Sequence, residues 1–231
     1  MIDRKDIFPL RSGVGEGRIG VVFGNGSSLD EVSDKVWKKA SGDEFLTVGC
    51  NRIGLSSRMR EADFVPDVVL MWDAPHRGGK LINQEICDSL QYCADCGSWV
   101  VNVFREGLPK WPLVHQYVRY IPNNTEYPYH FEHCVHSGHN VGDGAANLLY
   151  RLGCRDVYLY GIDLDGPYCR MVTRDKQQVA WNKIPKAGPI MAWQYQLNTL
   201  PKLRVWCASK KSVLVKKHYL PFGCLGETDA D

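Results

Sequence analysis

The chain has 231 residues, enough for one generous α/β domain with a sizeable buried core. Its net charge of +2 sets up no global pull toward nucleic acid or an anionic membrane, and no apolar run reaches membrane-spanning length. The start, Met1-Ile2-Asp3-Arg4-Lys5-Asp6, lacks the apolar core of a secretory signal, and nine unclustered cysteines read as reduced thiols, so a cytoplasmic setting is expected.

Residues 1–17 carry Gly13, Gly15 and Gly17 and read as a lead-in segment. Residues 19–23 are a buried strand, residues 24–28 a tight turn, and 29–40 a helix with Leu29, Val32 and Val36 on one face. Ser28 and Glu31 have capping-box spacing. A glycine-flanked turn into a helix start presents backbone N–H groups at the positive end of a dipole, and glycines let a ligand approach closely. Gly24, Asn25, Gly26, Ser27 and Ser28 are therefore expected to seat a phosphate. The turn is neither G-x-G-x-x-G nor a Walker A loop, because no Gly-Lys-Ser/Thr follows.

Further apolar runs predict strands at 45–50, 67–72, 99–104, 157–162 and 204–208. Helices are expected near 80–93, over 140–152 and after Pro189. The helix at 140–152 is rich in small residues, which suits close packing on a sheet, and Gly153 should stop it. Residues 105–135 read as an irregular insert facing the acceptor, with one short strand near 117–121; residues 221–231 read as a fraying tail. Continuous apolar strands alternating with helices predict a single Rossmann-like domain over 18–220. It has a mostly parallel sheet with helices on both faces.

Ligands of open parallel sheets bind beyond the carboxyl ends of the strands. Those ends carry Gly24 to Ser27, then Asn51 and Arg52, then Asp73 and His76, then Asp163 and Asp165, with His136-Ser137-Gly138 leading into the small-residue helix. Polar residues at the ends of four strands point to a polar, nucleotide-like ligand. The histidines His130, His133, His136 and His139 recur every three residues. On a helix or 3₁₀ turn they can hold zinc or iron, an alternative to a site without metal.

In order and spacing, Gly24-Asn25-Gly26-Ser27-Ser28-Leu29, Gly49-Cys50-Asn51-Arg52, His136-Ser137-Gly138 and Val157-Tyr158-Leu159-Tyr160-Gly161-Ile162-Asp163 resemble bacterial sialyltransferases of the Campylobacter type. They are also similar to the Maf flagellin-glycosylating factors and to pterin diphosphokinase-like proteins. The resemblance implies a glycosyltransferase that moves a sugar from a nucleotide-activated donor, CMP- or UDP-linked, to a hydroxyl acceptor on a glycan, a protein or modified DNA. It places Gly24, Asn25, Gly26, Asn51, Ser137 and Gly138 around the donor. Asp73 stands where the family has an asparagine, and the loop before the last helix lacks the family's catalytic histidine. His136, His139, Asp163 and Asp165 are the candidates for the missing base. The alternatives are a glycosyltransferase acting on a hydroxymethylated DNA base, an ATP-dependent diphosphokinase needing Mg²⁺, and a non-catalytic nucleotide-binding module. An oligomer is compatible with any of them.

Overall fold

A computed structural model describes residues 13–72, 76–77, 80–81, 84–104, 113–122, 134–137, 140–164, 169 and 187–225. Strands β1 (Ile19–Phe23), β2 (Phe45–Cys50), β3 (Val68–Met71) and β6 (Trp99–Phe104) are the apolar runs of the sequence. The short pair β4 (His76–Arg77) and β5 (Lys80–Leu81) forms a separate antiparallel ribbon. Strands β7 (Gln116–Pro122), β8 (Cys134–Ser137), β9 (Asp156–Tyr160) and β10 (Arg204–Cys207) complete an eight-stranded sheet ordered β10-β9-β1-β2-β3-β6-β7-β8. Every pairing in it is parallel.

Alternate strand residues feed two cores. Val22, Val48, Leu70 and Leu159 lie on one face, against helices α4 (Val141–Leu152) and α5 (Ala187–Thr199). Val21, Phe23, Val69 and Met71 lie on the other, against α1 (Asp34–Ala40) and α3 (Gln84–Asp95). Burial on both faces is what makes the strands read as unbroken apolar runs. On the second face the Phe23 ring stacks on Trp37 at 4.6 Å and meets Phe64 at 5.1 Å. Helix α4 returns from β8 to β9 and lies directly on the sheet. Gly142, Gly144, Ala145 and Ala146 are all buried. A Cβ on Gly20 of β1 would come within 2.9 Å of Leu149, so the strand makes room for this leucine by carrying no side chain at residue 20. Gly153, at φ 120°, ends the helix.

Four expectations change. The single helix at 29–40 is a 3₁₀ turn, Ser27–Glu31, then α1, with extended backbone at Val32. Arg58 from α2 (Ser57–Glu61) donates to the Val32 carbonyl at 3.0 Å and to Asp34 at 2.6 Å, which holds the break open. The Ser28–Glu31 capping box is absent: Ser28 bonds Asp163, and Glu31 pairs with Lys211. The insert at 105–135 contributes β7 and the first residues of β8 to the main sheet. Polar Gln116 and Arg119 break the apolar run that marks the central strands. Residues 221–225 close onto the sheet: Cys207 donates to the Pro221 carbonyl at 3.0 Å and Leu225 N–H to the Tyr160 hydroxyl at 2.7 Å.

His115, beside β6, accepts the Val100 N–H at Nδ1 (3.0 Å) and stacks on Trp99 at 4.7 Å. Burial lowers its pKa from the ordinary 6.5. A lowered folded value means the unfolded chain takes up the proton first. This contribution to stability is complete above pH 6.5 and is lost as pH falls below it. The melting temperature should decline between pH 7 and pH 5, and His115→Gln should flatten part of that decline; an unchanged profile would show that His115 takes up its proton alike in the folded and unfolded states.

Candidate functional site

The sheet winds one way from β1 to β8 and the other way from β1 to β10, so the topological switch point lies between β1 and β9. Their carboxyl ends are where an open α/β sheet offers a crevice. Strand β1 runs into Gly24-Asn25-Gly26 and β9 into Gly161-Ile162-Asp163, and the two exits are bonded together. Gly24 N–H donates to the Tyr160 carbonyl and Gly26 N–H to the Gly161 carbonyl, each at 2.7 Å.

The glycines serve that contact. A Cβ on Gly24 would overlap Ile162 Cδ1 and the Gly161 carbonyl oxygen, and one on Gly26 would stand 2.5 Å from Asp163 Oδ2. Gly161 has φ 65°, which disfavours any side chain, and its own Cα faces the Gly24 carbonyl. On this side it is the exit of β9, rather than a ligand, that approaches the glycine backbone.

Asp163 changes the reading of the phosphate seat. Its side chain is buried and accepts the Ser28 N–H at 2.9 Å, the Ser28 hydroxyl at 2.6 Å and the Ser27 hydroxyl at 3.5 Å. A carboxylate of the protein therefore holds the N–H group that the sequence offered to a phosphate, and a second anion there would be repelled. The same bonds make Asp163 the cap of the turn. Both its oxygens are engaged in these bonds. Its backbone is pinned as well: Ser212 Oγ donates to the Ile162 carbonyl at 2.8 Å and Val213 N–H to the Asp163 carbonyl at 3.1 Å.

Asn25 faces the other way. Its Nδ2 donates to the carbonyl of Cys50, the last residue of β2, at 2.9 Å. Its main-chain carbonyl accepts the N–H of Cys169 at 2.8 Å. Its Oδ1 is buried without a hydrogen-bond partner among the described residues. Because Nδ2 is committed to Cys50, the amide cannot flip to relieve Oδ1 without breaking that bond. An orphaned buried acceptor costs about 1–3 kcal/mol.

Asn51 ends β2 with φ 44°, a conformation asparagine tolerates. Its N–H donates to the Leu70 carbonyl at 3.0 Å and its Oδ1 accepts the Trp72 N–H at 2.8 Å, so it ties the ends of β2 and β3 together. Arg52 follows, 8% exposed, with Nε 3.6 Å from Glu85 on α3. Helix α4 begins at the same edge, capped by Asn140 Oδ1, which accepts the Gly142 N–H at 2.6 Å. Gly142 packs on Ile162. The helix's positive end thus sits beside the switch point.

Of the residues expected at the site, Ser27, Ser28 and Asp163 are bonded to one another, Gly24 and Gly26 are bonded to the exit of β9, and Asn25 turns to Cys50, next to Asn51. Ser137 and His136 belong to β8. Asp73, Gly138, His139 and Asp165 lie outside the described residues, as do His130 and His133. Of the histidine run only His136 is described, and it lies on the extended backbone of Cys134–Ser137. Among the described residues no group of histidine, cysteine and acidic side chains is arranged to hold a metal. Burial pushes the thiols of Cys93, Cys154 and Cys169 up to about 12, so they stay protonated. The Cys169 contact to Asn25 carried no signal in the sequence, because it is made by a main-chain N–H far along the chain.

Solved structures share this fold. The sialyltransferase CstII from Campylobacter jejuni, in complex with the substrate analogue CMP-3FNeuAc, gives a TM-score of 0.54 at 13% identity, over 89% of this chain and 86% of its own. CST-II in complex with trisaccharide acceptor and CMP gives 0.55 at 12% identity, over 92% and 88%. The Maf glycosyltransferase from Magnetospirillum magneticum AMB-1 gives 0.52 at 14% identity, over 88% of this chain but 34% of that one. The fold is the one expected from the resemblance: a parallel Rossmann-like sheet of the sialyltransferase and Maf type. No protein-family model and no curated protein matches the sequence. Among the described residues no helix is long and apolar enough to cross a membrane.

Proposed function

We propose that this chain is a glycosyltransferase-like enzyme that binds a nucleotide-activated sugar at the switch point and passes the sugar to a hydroxyl acceptor. The observation that carries this is the Asn25 carboxamide, fixed by Cys50, with an unpartnered acceptor oxygen where a parallel sheet binds its ligands. Such an oxygen selects an N–H or O–H group, as the amino group of a pyrimidine base or a ribose hydroxyl supplies. The CMP-bound neighbours of the same fold favour a CMP-linked donor over a UDP-linked one.

Since Asp163 occupies the turn at Ser27–Ser28, the donor phosphate belongs nearer the start of α4, beyond Ser137 and Gly138, where the helix dipole favours negative charge. Asn51 and Asp73 would border the nucleoside. The acceptor oxygen attacks the anomeric carbon while the bond from that carbon to the phosphate oxygen breaks, and the nucleotide departs with the bonding pair. A base takes the acceptor's proton. His136, His139, Asp163 and Asp165 are the candidates for it, and of these Asp163 already accepts from Ser27 and Ser28.

A thermal-shift panel with CMP, CDP, UDP, GDP and ATP, each with and without Mg²⁺, tests this reading. A nucleotide at a hundred times its Kd should stabilise the fold by about 2.7 kcal/mol, roughly 5–10 °C for a chain of this size. That shift should shrink in Asn25→Ala. Stabilisation by ATP alone, and only with Mg²⁺, would favour the diphosphokinase. No shift with any nucleotide would sink the proposal. Slow hydrolysis of a CMP-sugar by the purified chain would separate an enzyme from a binding module.

A further inference from the structure

A second cavity, of about 560 Å³, opens on the α1 side of the sheet, behind the wall formed by Ser28 and Gly161. Its volume suits a drug-sized molecule. Val32 and Val36 are buried in its floor and Phe222 lines one side. Around it stand Lys35, Lys210 and Lys211, against one acid, Glu31. Lys211 is paired with Glu31. Lys210 lies over the Phe222 ring, its Nζ 4.6 Å from the centroid, and Lys35 has no counter-ion among the described residues.

Lysines on a surface are ordinarily a solvated face, but two features separate these. They are held: Lys210 and Lys211 project from a tight turn in which Lys211 N–H donates to Ser209 Oγ (3.2 Å) and Ser212 N–H to the Ser209 carbonyl (3.1 Å). Ser209 itself is 6% exposed. They also ring a cavity with an apolar floor, so a bound body would leave water while its charge stayed at the rim. Among the lining residues three lysines against one glutamate leave the rim net positive, with Asp163 behind Ser28 offsetting part of that charge. A phosphate monoester carries about −1.5 to −2 at neutral pH, the opposite sign.

We propose that this cavity binds a small phosphate monoester with an apolar or aromatic body, at a site distinct from the switch-point crevice. The phosphate meets Lys35, Lys210 and Lys211, and the body lies on Val32, Val36 and Phe222. Ser28 lines this cavity and is also bonded to Asp163.

The test titrates the full chain with 1-naphthyl phosphate, followed by calorimetry, beside 1-naphthol and inorganic phosphate. One saturable site is expected for the ester. The neutral naphthol and the bare phosphate should each bind at least roughly tenfold more weakly, since each lacks half of the contacts. Lys35→Gln combined with Lys210→Gln should weaken the ester by roughly tenfold or more. Both side chains are exposed, so the melting temperature of the free variant should be unchanged. Saturating CMP should leave the ester's affinity within about threefold, and the variant should keep whatever CMP shift the parent chain shows; the ester's own binding and its loss in the variant are read whether or not the donor proposal holds. Equal affinity in the variant, equal binding of naphthol, full displacement by CMP, or no saturable binding would each overturn the site.

Discussion

Gly24→Ala is expected to destabilise the fold by about 3–5 kcal/mol, among the largest effects of a single methyl group. The added carbon would overlap the Gly161 carbonyl oxygen and Ile162 Cδ1. The isoleucine tip can rotate away; the carbonyl cannot, because it accepts the Gly26 N–H and belongs to the exit of β9. Relief requires the β1 and β9 exits to part, which breaks the Gly24–Tyr160 and Gly26–Gly161 bonds together. Gly17→Ala is the control. Its φ of 74° strains a side chain, but nothing lies within 4 Å of the new carbon, so about 1 kcal/mol is expected. Urea midpoints of the two variants settle the comparison. A Gly24→Ala midpoint equal to that of Gly17→Ala would show that the two exits separate freely.

The frame of this fold could be read from the amino acids because sheet burial leaves a local trace. Residues 19–23, 45–50 and 99–104 are apolar runs because each strand is covered on both faces. Small residues in α4 announced contact with the sheet, and Gly153 announced its end. What stayed hidden depends on partners far along the chain. Whether Gly24 and Gly26 face a ligand or another strand is decided by Gly161 and Asp163, more than a hundred positions away. The break at Val32 is made by Arg58, and the closure of 221–225 by Cys207 and Tyr160. The site shows the same division. That Gly24 to Ser28 and Asp163 come together was legible, because strand ends are; the bonds that Asp163 makes to Ser27 and Ser28 were not, because a capping carboxylate and a catalytic one are the same residue in a sequence.

The capping role makes its own strong prediction. Asp163→Ala leaves the Ser28 N–H and hydroxyl buried without their acceptor, and should cost about 3 kcal/mol. Ser28→Ala removes one of those donors and should cost about 1.5 kcal/mol. Because both changes remove the same 2.6 Å bond, the double variant should fall short of their sum by about 1–2 kcal/mol. Additive losses would mean that the two groups act separately. The argument extends to the phosphate seat. With the carboxylate gone, the start of the turn regains a free N–H and an open charge position, the features that attract an anion. Millimolar sulfate should therefore raise the melting temperature of Asp163→Ala more than that of the parent chain, beyond the general salt effect common to both. An equal rise in the two would be the general salt effect alone, and would mean that removing Asp163 opens no anion seat at the turn. A larger rise in the variant would mean that the protein has filled its own anion seat, leaving the start of α4 to receive the donor.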